Sequence, residues 1–425
     1  MHSKMNVLVF PCGSEVGLEI FRSIEHSTHI NLLGGSSTDD HGKFVFKNYI
    51  GDLPFIDDIN FIPLMKEVVS KFKIDAIFPA MDSVITILKK NEKELNCKII
   101  ASELDTCEIC LSKSKTYQYL KDMVPTPTIY PEKDAITVFP VFLKPAIGYG
   151  SRGVKKAINK KELHNYMELN PDLIIMEFLP GKEYTIDCFT NFRGELLFVG
   201  PRERRRISNG ISVNTSTTIS TKRITEFAQV INSAIKFNGA WFFQVKERAN
   251  GDIVLMEIAS RMAGSSSAYR AKGVNLALLS LFNAFEMPIE ILANNYDVEL
   301  DRALYNKYKI NIDFTSVYID FDDTIIIDGK VNTKLVSAIY HFINLGKKVI
   351  LITKHEFPIA ETLKKYRLYQ IFDEVLHLKK GDSKWEYVIN QDSIFIDDSF
   401  AERKEIFKNK GIPVFSVDMI ECLIS

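Results

Sequence analysis

The chain has 425 residues, enough for roughly two to four domains rather than one. Its 46% hydrophobic and 25% charged residues are those of a globular protein. A formal net charge of −1 offers neither nucleic acid nor an anionic membrane a long-range attraction, so neither is expected as a partner. No apolar run is long enough to span a bilayer, and the start Met-His-Ser-Lys-Met-Asn passes into an apolar strand without a secretory core. A cytoplasmic location is expected. Six cysteines are scattered, and Cys107 and Cys110 form a lone Cys-x-x-Cys, which reads as buried thiols rather than a redox or zinc pair.

In chain order, Val7–Phe10 reads as a strand, Gly13 and Gly17 as a turn, and Leu18, Ile20, Phe21 and Ile24 as one helix face. Two glycines do not complete a dinucleotide fingerprint, so NAD is rejected. A strand over Asn31–Gly34, a helix over Phe61–Phe72 and a strand over Ala76–Phe78 continue the alternation to about residue 105, which implies a small open α/β domain. Ser36 and Asp82 fall at C-terminal strand ends, where such sheets collect ligands. Asp82 is either a helix N-cap, the commoner case, or a substrate contact. Lys113 stands at a helix start, where the dipole disfavours a cation unless an anionic ligand shares the spot.

An apolar run to Leu143 then delivers Lys144, followed by Gly148, Gly150, Ser151, Arg152 and Gly153. Glycines let backbone N–H groups approach an anion, and the lysine adds charge, so the stretch is a plain turn or a phosphate site. It is not a Walker loop, because the lysine precedes the glycines. Further on, Arg202–Arg206 reads as a basic loop ahead of Gly210-Ile-Ser, either a solvated cluster or a gatherer of carboxylate or phosphate oxygens. Trp241–Val245 and Ile253–Met256 read as strands joined by the hairpin turn Asn250-Gly251-Asp252. Gln244 and Glu257 come from paired strands and can face one side as hard-oxygen ligands, with Arg261 close behind; Glu257 and Arg261 are alternatively a surface pair.

These pieces together resemble the ATP-grasp superfamily, in its carbamoyl phosphate synthetase and amino-acid ligase branch, over residues 1 to about 300. The resemblance implies that Lys113 and Lys144 bind ATP phosphates and that Gly148, Gly150, Ser151, Arg152 and Gly153 form the loop that closes over them. It implies an adenine hinge at Glu177, Phe178 and Leu179, and a ribose-binding acid at Glu183. Gln244 and Glu257 match Mg²⁺ (or Mn²⁺) ligands, and Arg261 the catalytic arginine of a Glu-x-Asn-Pro-Arg motif. Arg204, Arg206, Gly210 and Asp82 are candidate substrate contacts. Ala259 and Ser260 depart from the motif's Asn and Pro, which removes one ligand of a second Mg²⁺. Either water and phosphate hold that metal, or catalysis is slower, or the site only binds nucleotide.

After the polar segment 298–310, a new alternation begins. The strand ending in Asp320-Phe-Asp322-Asp323-Thr324, the strand Val349–Ile352 ending at Thr353, Lys384 on a helix, and Ser393–Ile396 ending in Asp397-Asp398 each deliver polar residues to C-terminal strand ends. Acids from two strands suit one Mg²⁺. This order resembles the haloacid dehalogenase superfamily from about residue 312 to the last residue. The resemblance implies Asp320 as nucleophile, Asp322 as general acid and base, Thr353 as phosphate-binding hydroxyl and Lys384 as the charge-neutralising lysine, ahead of Lys379 or Lys380. It also implies metal ligation by Asp320, Asp322 and Asp397, with Asp398 in the outer shell. The spacing leaves no room for a large cap.

The expected architecture is an α/β and α+β multidomain chain: a Rossmann-like pre-ATP-grasp domain over 1–108, an ATP-grasp domain over 109–305, and a capless haloacid dehalogenase-like Rossmannoid domain over 312–425. The expected function is bifunctional. An ATP-dependent carboxylate–amine ligase works through an acyl phosphate, and a Mg²⁺-dependent phosphatase works through an aspartyl phosphate. Its partners are then a small-molecule carboxylate, an amine and a phosphorylated metabolite, with oligomeric state left open, a homo-oligomer included. The alternative is a nucleotide-binding, ligase-inactive module that presents substrate to an active phosphatase.

Overall fold

The computed structural model describes residues 4–147, 153–208, 210–305, 307–308 and 310–424. It divides into two compact units, Met1–Leu304 and Tyr305–Ser425.

In the first unit, five parallel strands run in the order Asn48–Ile50, Ile30–Gly35, Met5–Phe10, Ala76–Pro79, Lys98–Ile99. Both faces are covered, as the near-continuous apolar strand Val7–Phe10 requires. Val7 and Val9 pack with helix Glu15–Ile24, while Leu8 and Phe10 pack with helix Phe61–Phe72. The expected boundary at 108/109 falls inside this unit, where Leu276, Ala277 and Leu281 of helix Leu276–Ala284 join the same core as Ile20 and Ile24. The glycine turn after the first strand is closed by Asp40, whose carboxylate accepts from Ser36 Oγ and from Gly42 N. A Cβ on Gly13 would lie 2.1 Å from Asp40 Cγ, so the glycine here makes room for a carboxylate rather than for a pyrophosphate.

Two antiparallel sheets follow. The smaller runs Ile129–Tyr130, Leu173–Glu177, Val141–Pro145, Lys155–Ala157. The larger runs Ile253–Ala259, Gly239–Glu247, Glu183–Thr190, Leu196–Ser208, Ile211–Thr217, Glu299–Asp301. Period-two alternation gives the large sheet two unlike faces. Trp241, Phe243, Ile186 and Cys188 bury against Phe227 and Ile231 of helix Lys222–Ala234. Phe242, Gln244 and Glu257 point to the opposite side, towards a cavity.

Two expectations are corrected here. The basic segment Arg202–Arg206 is not a loop but part of a 13-residue strand. The polar segment after Val298 is not simply a spacer, since Glu299–Asp301 pairs with Ile211–Thr217 as an edge strand.

In the second unit five parallel strands run Glu374–His377, Lys348–Thr353, Ser316–Ile319, Ser393–Ile396, Val414–Phe415. Strand order reverses beside Ser316–Ile319, the position where open parallel sheets form a crevice at their carboxyl ends. Between Asp323 and helix Thr333–Asn344 the chain makes only the short hairpin Ile326–Ile327/Lys330–Val331. Among the described residues no helix is long and apolar enough to cross a membrane.

Candidate functional site

Lys144 ends the buried strand Val141–Pro145 with its own side chain 5% exposed. Its ammonium donates to Tyr117 Oη at 2.6 Å and to the Met256 carbonyl at 3.1 Å, and Tyr117 Oη donates to the same carbonyl at 2.6 Å. Burial pulls the amine down to about 7, with Glu257 opposing and Lys113 reinforcing that shift. Lys113 opens helix Lys113–Leu120, with its Nζ 4.0 Å from Glu257 Oε2. Glu257 and Gln244 share a face as expected, and a register shift between Gln244 and Val245 makes them direct cross-strand partners. Both lysines therefore lie within electrostatic reach of Glu257.

Arg261 is bound in two-pronged fashion by Asp82, with Nε to Oδ1 at 3.0 Å and Nη2 to Oδ2 at 2.8 Å. The N-cap position ahead of Asp82 is Met81, and Asp82 is the first residue of its helix. Asp82 is thus a clamp on the arginine, not an N-cap. Arg204 donates Nη1 to Glu183 and, at 2.8 Å, to Gln244 Oε1, while its Nη2 donates to the Gly210 carbonyl at 2.8 Å. Glu183 also faces Lys246 Nζ at 3.6 Å. Arg206 is exposed and pairs with Asp301 at 2.7 Å, turned out of the cavity.

At the expected hinge, Glu177 accepts from Thr128 N at 2.9 Å and from Arg248 Nη2 at 2.6 Å. These bonds hold its carboxyl below the usual range against the opposing effect of burial. Leu179 is buried, and Lys156 Nζ lies 4.2 Å from the centre of the Phe178 ring. Gly148, Gly150, Ser151 and Arg152 lie outside the described residues. Gly153 follows with φ +74, a conformation that favours glycine, ahead of the return strand Lys155–Ala157.

A cavity of about 570 Å³ joins part of this set, while Lys144, Glu183 and Glu177–Leu179 do not line it. It is lined by Lys113, Gln244, Glu257 and Arg261 from the antiparallel part, and by Ser14, Glu15 and Asp82 from the two helix starts of the parallel sheet. Arg204 and Gly210 line it as well. Sequence reasoning missed Tyr117, Arg302 (which meets Glu15 Oε2 at 3.1 Å) and the buried pair Arg202–Asp187. Ala259 is buried and gives the cavity wall no ligand atom, so one side-chain carboxylate, Glu257, faces the cation position. That fits one divalent cation shared with a nucleotide and leaves a second without a protein carboxylate.

The second unit gathers its own cluster. Asp320 follows the central strand, and its backbone N–H bonds to the Ile396 carbonyl at 2.9 Å. Lys384 Nζ lies 2.5 Å from Asp320 Oδ1 and 2.6 Å from Asp397 Oδ2, which selects it over Lys379 and Lys380 for the position between the two acids. Burial raises the Asp320 carboxyl to about 7, with Lys384 opposing and Asp397 adding to the rise. Oxygens of Asp320, Asp397 and Asp398 lie within 4.8 Å of one another, a donor set that fits a hard divalent cation. Thr324 Oγ1 donates to Asp398 at 3.1 Å, and Arg403 Nη1 holds the Asp397 and Asp398 carbonyls, each at 2.6 Å. Thr353 is fully buried and its Oγ1 accepts from His355 N at 3.1 Å. His355, absent from the sequence reading, places Nδ1 2.9 and 3.0 Å from the two Asp322 oxygens. Its only sequence signal is its place two residues beyond Thr353.

Elsewhere, all six cysteines are free. Burial pushes the Cys107 thiol up to about 11, which suits an unreactive core residue.

Residues 169–301 match a family model described as "ATP-grasp in the biosynthetic pathway with Ter operon". Among solved structures, the biotin carboxylase domain of Hydrogenobacter thermophilus 2-oxoglutarate carboxylase is similar with a TM-score of 0.60 at 15% identity, over 70% of this chain and 74% of that one. N5-carboxyaminoimidazole synthetase from Staphylococcus aureus aligns at 0.56 and 16%, over 68% and 78%. L-amino acid ligase from Bacillus licheniformis aligns at 0.54 and 18%, over 67% and 75%. No curated protein matches the chain significantly. At these identities the structural likeness is one of fold, and the ATP-grasp match is to residues 169–301.

Proposed function

We propose that the first unit is an ATP-dependent ligase that joins a carboxylate to an amine, and that the second is a Mg²⁺-dependent phosphohydrolase. The observation that carries the first part is the convergence of Lys113, Glu257 and Arg261 on one cavity, with Lys144 beside Glu257. The structural neighbours include a carboxylase domain with ADP and bicarbonate, a synthetase with ADP and an L-amino acid ligase, which supports the same reading.

In this reading the backbone at Glu177–Leu179 meets the adenine, Glu183 the ribose, and Lys113 and Lys144 the phosphates. Mg²⁺ (or Mn²⁺), when bound through Glu257 and Gln244, offsets nucleotide charge. A substrate carboxylate oxygen attacks the γ-phosphorus, the bond to the bridging oxygen breaks, and ADP leaves. Lysines and Arg261 offset the repulsion between two anions that makes this step slow in water. The amine then attacks the acyl carbon, loses a proton and displaces phosphate. The test is hydroxylamine trapping: wild type with ATP and an acceptable acid forms a hydroxamate and ADP, and Lys144→Ala does not. Nucleotide binding with no hydroxamate from any acid would favour a ligase-inactive binding module. Ala259, together with Gln244 and Arg261 already held by Arg204 and Asp82, is what keeps that second reading in view.

For the second unit the reading rests on Lys384 bridging Asp320 and Asp397 at carboxyl ends of adjacent strands. Asp320 attacks a phosphomonoester, and Asp322 protonates the departing oxygen and then deprotonates the water that cleaves the aspartyl phosphate. Thr353 donates to a phosphate oxygen.

A further inference from the structure

Arg202 and Arg204 stand two residues apart on strand Leu196–Ser208, both side chains lining the cavity of the first unit. Register pairs Glu257 with Gln244, Gln244 with Thr185, and Thr185 with Arg202. Arg202 is therefore in the same cross-strand row as Glu257 but three strand spacings away, about 14 Å between backbones. That distance separates it from the phosphate end marked by Lys113 and Lys144.

Both guanidinium groups are buried and incompletely bonded. Arg202 is 1% exposed and gives Nε and Nη2 to Asp187 at 2.7 and 3.4 Å. Arg204 is 7% exposed and gives Nη1 and Nη2 to Glu183, Gln244 and Gly210. Among the described residues, Arg202 Nη1 and Arg204 Nε have no partner. A buried donor without an acceptor is costly, and an anionic oxygen placed there recovers that cost. The lining as a whole carries five Lys and Arg side chains against three carboxylates. Asp187 and Glu183, which pair with Arg202 and Arg204 from outside that lining, even the balance, so what this end offers a ligand is its two unbonded N–H groups rather than net charge.

We propose that this end of the cavity is an anion subsite, and that the acid activated by the ligase carries a second anionic group, a carboxylate or a phosphate monoester, held by Arg202 Nη1 and Arg204 Nε. The proposal rests on the ligase reading of the same cavity and deepens it to a substrate class.

The test uses the full chain, ATP and hydroxylamine with matched acids: glutamate and O-phosphoserine against glutamine and serine. The expected result is a KM for at least one doubly anionic acid about tenfold or more below that of its neutral match, the preferred member telling carboxylate from phosphate. In Arg204→Gln that preference falls to near parity, read as the ratio of KM values for the charged and the neutral acid, which a change in nucleotide affinity through Glu183 or Gln244 does not mimic. Arg202→Gln leaves Asp187 without its partner and is read only if it folds; the wild-type preference does not depend on it. Equal use of neutral and anionic acids by wild type overturns the proposal, as does an undiminished preference in Arg204→Gln. If no acid yields a hydroxamate, the ligase reading falls, and binding decides the subsite by calorimetry in the presence of ADP. Tighter binding of glutamate or O-phosphoserine to wild type than to Arg204→Gln upholds it, and equal binding overturns it.

Discussion

Lys144 concentrates the electrostatics of the ligase site in one side chain. Buried against Tyr117 and the Met256 carbonyl, its amine titrates near 7 rather than in the usual lysine range. An arriving polyphosphate restores its charge. Above pH 7 the free protein then holds a neutral amine and the complex an ammonium, so binding takes up a proton and weakens as pH rises. Below pH 7 both states are protonated and the dependence disappears. Titration calorimetry with ADP in buffers of different ionisation enthalpy should show uptake of up to about one proton near pH 8 and little near pH 6, and none in Lys144→Arg. Identical uptake in that variant would assign the proton to another group. In the second unit, Asp322→Asn should slow phosphomonoester hydrolysis by about 10²–10⁴-fold, and Asp320→Asn should abolish it. A wild-type rate in Asp320→Asn removes the nucleophile assignment.

At the level of elements, the strand Leu196–Ser208 is where the sequence was least legible. Consecutive arginines carry no hydrophobic alternation, so the segment reads as a loop. What makes it a strand is non-local: Asp187 and Glu183 on the neighbouring strand receive Arg202 and Arg204, and Thr217 and Thr215 pair with them from the other side. Arg202→Met should therefore destabilise the unit by about 3–5 kcal/mol, because Asp187 is left buried and uncompensated. Adding Asp187→Leu should return most of that loss, measured by denaturant unfolding. If the single variant melts like wild type, the pair has no structural role. By contrast, the hairpin itself was legible from its apolar strands and Asn-Gly-Asp turn, though not the one-residue shift between Gln244 and Val245 that brings Gln244 opposite Glu257. The Asp82–Arg261 clamp was not, because it joins residues 179 apart and no local pattern encodes it. His355 escaped for the same reason, lying 33 residues from Asp322.

At the scale of the whole chain, two compact units each have a core and a polar cluster of their own. Of the ATP-grasp resemblance read from residues 1 to about 300, the family match covers 169–301, and the structural neighbours add a likeness of fold over 67–70% of the chain. The phosphatase reading rests on the cluster around Lys384. Two separate sites imply separable chemistry. Lys144→Ala should remove acid-dependent ADP release while phosphomonoester hydrolysis persists, and Asp320→Asn should do the reverse. Loss of both activities in either variant would mean that the units do not act independently.

The most direct test of the ligase reading follows oxygen. With an acceptable acid labelled with ¹⁸O in its carboxylate, ATP and an amine, an acyl phosphate route carries one carboxylate oxygen into the inorganic phosphate released. The expected result is labelled phosphate formed in step with ADP. Unlabelled phosphate, or ADP release that ignores the acid, would contradict it.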